Sequence, residues 1–151
     1  VTTWWDPYAY AGERHPDWVI RFDYLRGIPE VMCWRRKVIL IDPDYNAEYS
    51  GKHGRRSCVA HALGHIELMH QGSVLDRKEE LAACKWAAGM LIGVEQLADA
   101  ATWRGWQVGE DLAHDLRVDL DTLITRIGMA RCHPAEKSYL EARRAQMEHV
   151  A

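Results

Sequence analysis

The segment His61-Ala62-Leu63-Gly64-His65 is the feature that most constrains what this chain can fold into. Residues i and i+4 share one face of a helix, so the two imidazoles project together. Val59, Leu63, Ile66 and Met69 form a second, apolar stripe on the same stretch. A helix with polar groups on one side and a core seam on another must sit against a packed layer beside a cleft. Ser57 is the expected N-cap, the helix is expected to run to about His70, and Gly72 is the expected stop. The chain has eight histidines, so one such pair is weak alone. Its bland reading is two hydrogen-bonded histidines on a helix surface.

The surrounding pattern predicts an α+β fold in a single domain over residues 1–151. Residues 1–16 are aromatic and polar without a clear period, and read as an irregular arm packed by Trp4, Trp5 and Tyr8. Residues 17–43 read as a small antiparallel sheet of about three strands. Arg26-Gly27-Ile28-Pro29 is turn chemistry, and Arg35-Arg36-Lys37 separates two apolar runs as a hairpin would. Asp42-Pro43 ends the last strand, and 46–56 reads as a polar linker. A second helix is expected from about Asp76 to Ile92, pairing with the first across 57–92. Residues 94–151 are expected to add helices near 94–101, 106–114 and 119–127 and one after Pro134. Strands followed by helices argue against a doubly wound sheet.

Charge narrows the partners. The net charge is −3 over 151 residues. Between Glu95 and Asp121 there are seven acids and only Arg104 and Arg117 as bases, the wrong sign for a phosphate-binding face. The spacing of Leu112, Leu116, Val118, Leu123 and Ile127 is reminiscent of a helix-turn-helix core, but that balance favours helix packing over DNA contact. No apolar run is long enough for a bilayer, and the first residues lack the basic and apolar regions of a secretory signal. The expected compartment is the cytoplasm. Cys33, Cys58, Cys84 and Cys132 form no CxxC pair, so reduced thiols are expected.

Glu80 gives the histidine pair a context. It lies past the Gly72 turn, and two antiparallel helices would bring it beside His61 and His65. Two histidines, one carboxylate and an open fourth position make a catalytic zinc arrangement. Taken alone, Glu80 ends a charged run from Asp76 and reads as solvated. The stretch Arg56-Ser57-x-x-Ala60-His61-x-Leu63-Gly64-His65-Ile66-x-Leu68-x-His70 resembles the active-site helix of the ImmA/IrrE metallopeptidases. Glu80-x-x-Ala83-x-x-Trp86-Ala87-Ala88-x-Met90-Leu91-Ile92 is similar to their second helix. The resemblance is specific over about residues 35–95. It implies a gluzincin-like fold, zinc held by His61, His65 and Glu80, and endopeptidase action on a regulatory protein such as a helix-turn-helix repressor.

Two residues depart from that pattern. Ala62 stands where the family carries the glutamate that moves protons between the nucleophilic water and the leaving amine. Losing such a group costs about 10²–10⁴ in rate. Glu67 is expected to point away from the ligand face, so no neighbour replaces it. The intact remainder of the motif favours a glutamate replaced by alanine over a natural pseudoenzyme. A non-catalytic, zinc-stabilised partner of a repressor is the rival reading. Cys84, one turn after Glu80, stands where the family tends to carry Asn or Asp beside a ligand imidazole. His114, His133 and Tyr139 are candidates to steady the transition state, each with a surface or capping role as the alternative. Trp103 and Trp106 could line a cleft or simply pack. The basic runs Arg35-Arg36-Lys37 and Arg55-Arg56 read as solvated turns.

Overall fold

The computed structural model describes residues 3–45, 51–72 and 76–150. The fold is α+β, a small three-stranded sheet followed by a mostly helical body. Residues 46–50 of the expected linker lie outside the described residues.

The N-terminal segment is not irregular. Pro7–Arg14 forms α1, capped by Asp6, whose carboxylate accepts from the Tyr8 and Ala9 N–H groups. Proline in the first turn and an aspartate cap are strong start signals that the absence of an apolar period had hidden. Trp4 and Trp5 do pack on the core, whereas Tyr8 is exposed.

Strands β1 (Val19–Phe22), β2 (Glu30–Cys33) and β3 (Val38–Ile41) pair in the order β1-β3-β2. Antiparallel β2 and β3 form the expected hairpin, with Lys37 at φ 51° closing its turn. The sheet is nevertheless mixed, because β1 runs parallel to β3. The 23–29 connection carries the chain to the far edge, and β3 returns between the other two strands. Local alternation cannot reveal this, since it fixes which face a residue takes and not which neighbour a strand selects.

Ile39 and Ile41 on the central strand are fully buried, packed with Val59, Ala62, Leu63 and Ile66 of α2 (Gly51–Glu67). Each such aliphatic side chain contributes about 1.5–3 kcal/mol by burial. α2 starts before Ser57, which is therefore buried in mid-helix and not a cap; its Oγ accepts from the Asp119 N–H at 3.3 Å. The helix ends at Glu67, short of His70, where Met69 adopts φ 59°. Arg56 is not a solvated turn residue either. It donates to the Trp5 and Arg117 carbonyls at 2.7 and 2.9 Å and ties the N-terminal segment to the helical body. Arg55 donates to the Pro43 carbonyl.

Helix α3 (Arg77–Leu91) begins as expected, with Asp76 accepting from the Lys78 and Glu79 N–H groups. It packs closely on α2 because Gly64 leaves room. A Cβ there would meet the Ala83 carbonyl oxygen at 2.8 Å and the Trp86 ring at 3.3 Å. The remaining helices are α4 (Val94–Trp103), α5 (Glu110–Asp115), α6 (Leu120–Cys132) and α7 (Pro134–Val150). α5 is shorter than expected and α6 longer. Leu97, Leu112, Leu116 and Leu123 close a second core against α3. The Arg126 guanidinium, only 4% exposed, donates to the Ile92 carbonyl and grips Glu136 with two hydrogen bonds. Among the described residues, no helix is long and apolar enough to cross a membrane.

Candidate metal centre

α2 and α3 place three ligand atoms of His61, His65 and Glu80 within 4.8 Å of one another. The Glu80 carboxylate sits astride the pair, 3.3 Å from His61 Nε2 and 3.1 Å from His65 Nε2. Ligands bound at ~2.05 Å around a tetrahedral ion lie about 3.3 Å apart. The two N···O distances are compatible with donors sharing one cation. The structure holds a second indication. Among the described residues, the buried His61 Nε2 has no hydrogen-bond partner, an arrangement that costs stability unless a bound group satisfies that atom. These three residues could hold a metal ion.

Both imidazoles are supported from behind. His61 Nδ1 is bonded to the Glu30 carboxylate on β2, and His65 Nδ1 lies 3.0 Å from His70 Nδ1. For Nε2 to face a cation, Nδ1 must carry the ring proton and donate it. Glu30 and His70 are the acceptors that this tautomer needs. Glu30 lies at the cavity wall, its other oxygen buried and unpartnered. Burial pushes the Glu30 carboxyl up, opposed by its bond to His61. At His61, burial disfavours charge, but Cys84 and Glu30 outweigh it and push the imidazole up to about 11, so without a bound cation both ring nitrogens hold protons and a metal ion would displace the one on Nε2. Burial and the neighbouring His61 push His65 down.

Cys84 reaches the cavity wall and acts on His61, but contributes no atom to the three-ligand group. Glu67 points elsewhere, accepting from Tyr10 Oη at 2.6 Å and pairing with His15 at 2.7 Å. Ala62 is fully buried in the interface between α2 and the sheet, and is not part of the cavity wall.

The other candidates lie away from this centre. His114 stacks edge-on against His53, with ring centroids 4.8 Å apart. His133 follows the end of α6, where its Nδ1 accepts from the Glu136 N–H. Tyr139 Oη accepts from Arg143. None of the three lines the cavity, and neither do Trp103, which is 83% exposed, or Trp106. They sit in the helical half, and chain position gave no means of telling which face they would take. Glu30 and His70 were missed for opposite reasons. Glu30 is a lone acid after Pro29, with no motif around it. His70 fell inside an expected helix, but the turn through Met69 brings it back, its N–H bonded to the His65 carbonyl at 2.9 Å.

The centre opens into a cavity of about 870 Å³ between β2 and the starts of α3, α5 and α6. Comparison with protein-family models, curated proteins and solved structures gives no match to this chain.

Proposed function

We propose that this chain is built as a zinc-dependent endopeptidase of the ImmA/IrrE type, with alanine in place of the proton-transferring glutamate at position 62. The observation that carries the reading is the convergence of His61 Nε2 and His65 Nε2 on Glu80 at the mouth of a cavity large enough for a peptide segment. A zinc ion bound there would polarise a carbonyl and make water acidic near neutral pH. The chain's own residues would do the rest. His61, His65 and Glu80 bind. Glu30 and His70 hold the ring protons on the far nitrogens. Met32 and Trp34 on the cavity wall would shield one side of the centre from water. No carboxylate at position 62 accepts a proton, so this chain is proposed to bind substrate and cleave it poorly. A regulatory protein such as a helix-turn-helix repressor is the proposed substrate, and the cytoplasm the proposed compartment.

One observation favours the rival, a zinc-stabilised binding partner without catalysis: Ala62 packs as a core residue. Ala62→Glu separates the two. The peptidase reading expects a gain of about 10²–10⁴ in chelator-sensitive cleavage of a helix-turn-helix repressor or an unstructured peptide library. A stable, zinc-loaded Ala62→Glu protein that cleaves nothing would leave the binding partner as the better account.

A further inference from the structure

The cavity is strongly one-signed. Among the described residues its wall holds seven carboxylates and neither lysine nor arginine. Glu80 belongs to the metal centre and Glu30 to His61. Asp76 and Asp119 are committed to capping α3 and α6. Glu79, Glu110 and Asp121 remain, and among the described residues none of the three has an ion-pair partner. The three helix starts oppose this charge, each contributing roughly half a positive charge. With those starts and a divalent ion on Glu80 counted, the wall outside the centre still carries roughly two to three uncompensated negative charges. Low-dielectric walls focus such a field into the cleft. Glu30, paired with His61 through one oxygen, keeps its other oxygen buried at the same wall with no partner among the described residues.

We propose that the cleft selects a lysine- and arginine-rich polypeptide segment. Acidic helix starts on one wall would meet its cationic side chains, and Val31, Met32 and Trp34 would take its apolar ones. The proposal rests on the peptidase reading for the polymer and on the cavity charge for the side chains. It excludes acidic peptides and nucleic acid as occupants.

The chain as it stands suits the test, because position 62 is alanine and bound peptide is not expected to be consumed. Binding of a fluorescent, unstructured peptide containing several lysines and arginines is compared with that of its Lys/Arg→Gln counterpart. The basic peptide is expected to bind at least ~10-fold tighter at low salt, with the preference shrinking as salt rises. The triple substitution Glu79→Gln, Glu110→Gln and Asp121→Asn is expected to remove the preference. Equal binding of the two peptides, or a preference that is independent of salt, overturns the proposal without recourse to any variant. So does a preference that survives in the folded triple variant. Zinc content, measured separately, keeps the two readings apart. A chain that takes up zinc but shows no basic preference loses this inference alone. A chain that shows the preference but takes up no zinc loses the peptidase reading alone.

Discussion

Near its start, α2 sets His53 against His114 with ring centroids 4.8 Å apart; about two turns further on it sets His61 against His65 at 4.7 Å. Both pairs meet edge-on. Their neighbours differ. Around His53 stand Lys52, Arg56 and Arg117, with no acid among the groups that shift it; burial first, then His114 and these cations, push its pKa down. Around His61 and His65 stand Glu80, 3.3 and 3.1 Å from their Nε2 atoms, and Glu30 and His70 beside their Nδ1 atoms. Ring proximity alone therefore does not make a metal centre. A carboxylate facing the Nε2 atoms and an acceptor behind each Nδ1 are what let the second pair hold a metal ion.

The comparison can be broken most forcefully at Glu80. Glu80→Gln keeps the shape and removes the charge, and should lower zinc affinity by roughly 10²–10³-fold, read by chelator competition. An affinity unchanged by Glu80→Gln would mean the two histidine pairs are alike after all. Glu30→Gln attacks the support behind His61, and should cost about 10–100-fold in zinc affinity with the fold intact by circular dichroism. Rescue by Glu30→Asp would mark Glu30 as a positioning residue and not a packing one.

Gly64→Ala tests the approach of the helix that carries Glu80. The added methyl meets the Ala83 backbone, so the helices must part, at a cost of about 1–3 kcal/mol in denaturant unfolding. Zinc affinity should fall as well, although every ligand is retained. A stable variant of unchanged affinity would show that the helix spacing is not what sets the ligands.

The smallest effect is expected at the first pair. The folded pKa of His53 lies below its ordinary value of 6.5. The unfolded chain therefore takes up the proton first, and stability is lost as pH falls below about 6.5 towards the folded value. His53→Phe should flatten that acid-side loss in thermal melts and leave zinc affinity unchanged. A large loss of zinc affinity in this variant would contradict the separation of the two pairs.

The sequence carried the parts of this arrangement that are local. The i,i+4 spacing of His61 and His65 and the helix from about Asp76 that presents Glu80 follow from short-range rules. What it did not carry was the pairing of distant segments. Glu30 reaches His61 only because β2 takes an edge of the sheet, which in turn depends on β3 returning between β1 and β2. The order of strands is decided by tertiary packing that alternation does not encode. His114, His133 and Tyr139 lie away from the cavity for a related reason, since the face each presents is fixed by how α5, α6 and α7 pack. Ala62 stood out in the sequence for its place in the motif, and the structure adds that its side chain belongs to the sheet interface.

His61 and His65, and not His53 and His114, are proposed to hold the metal ion. Titrating the chain with zinc while counting bound ions tests it most directly, beside the double variants His61→Ala/His65→Ala and His53→Ala/His114→Ala. One tightly bound ion per chain is expected, lost in the first variant and retained in the second. Binding well below one ion per chain, or binding lost only when His53 and His114 are changed, would contradict it.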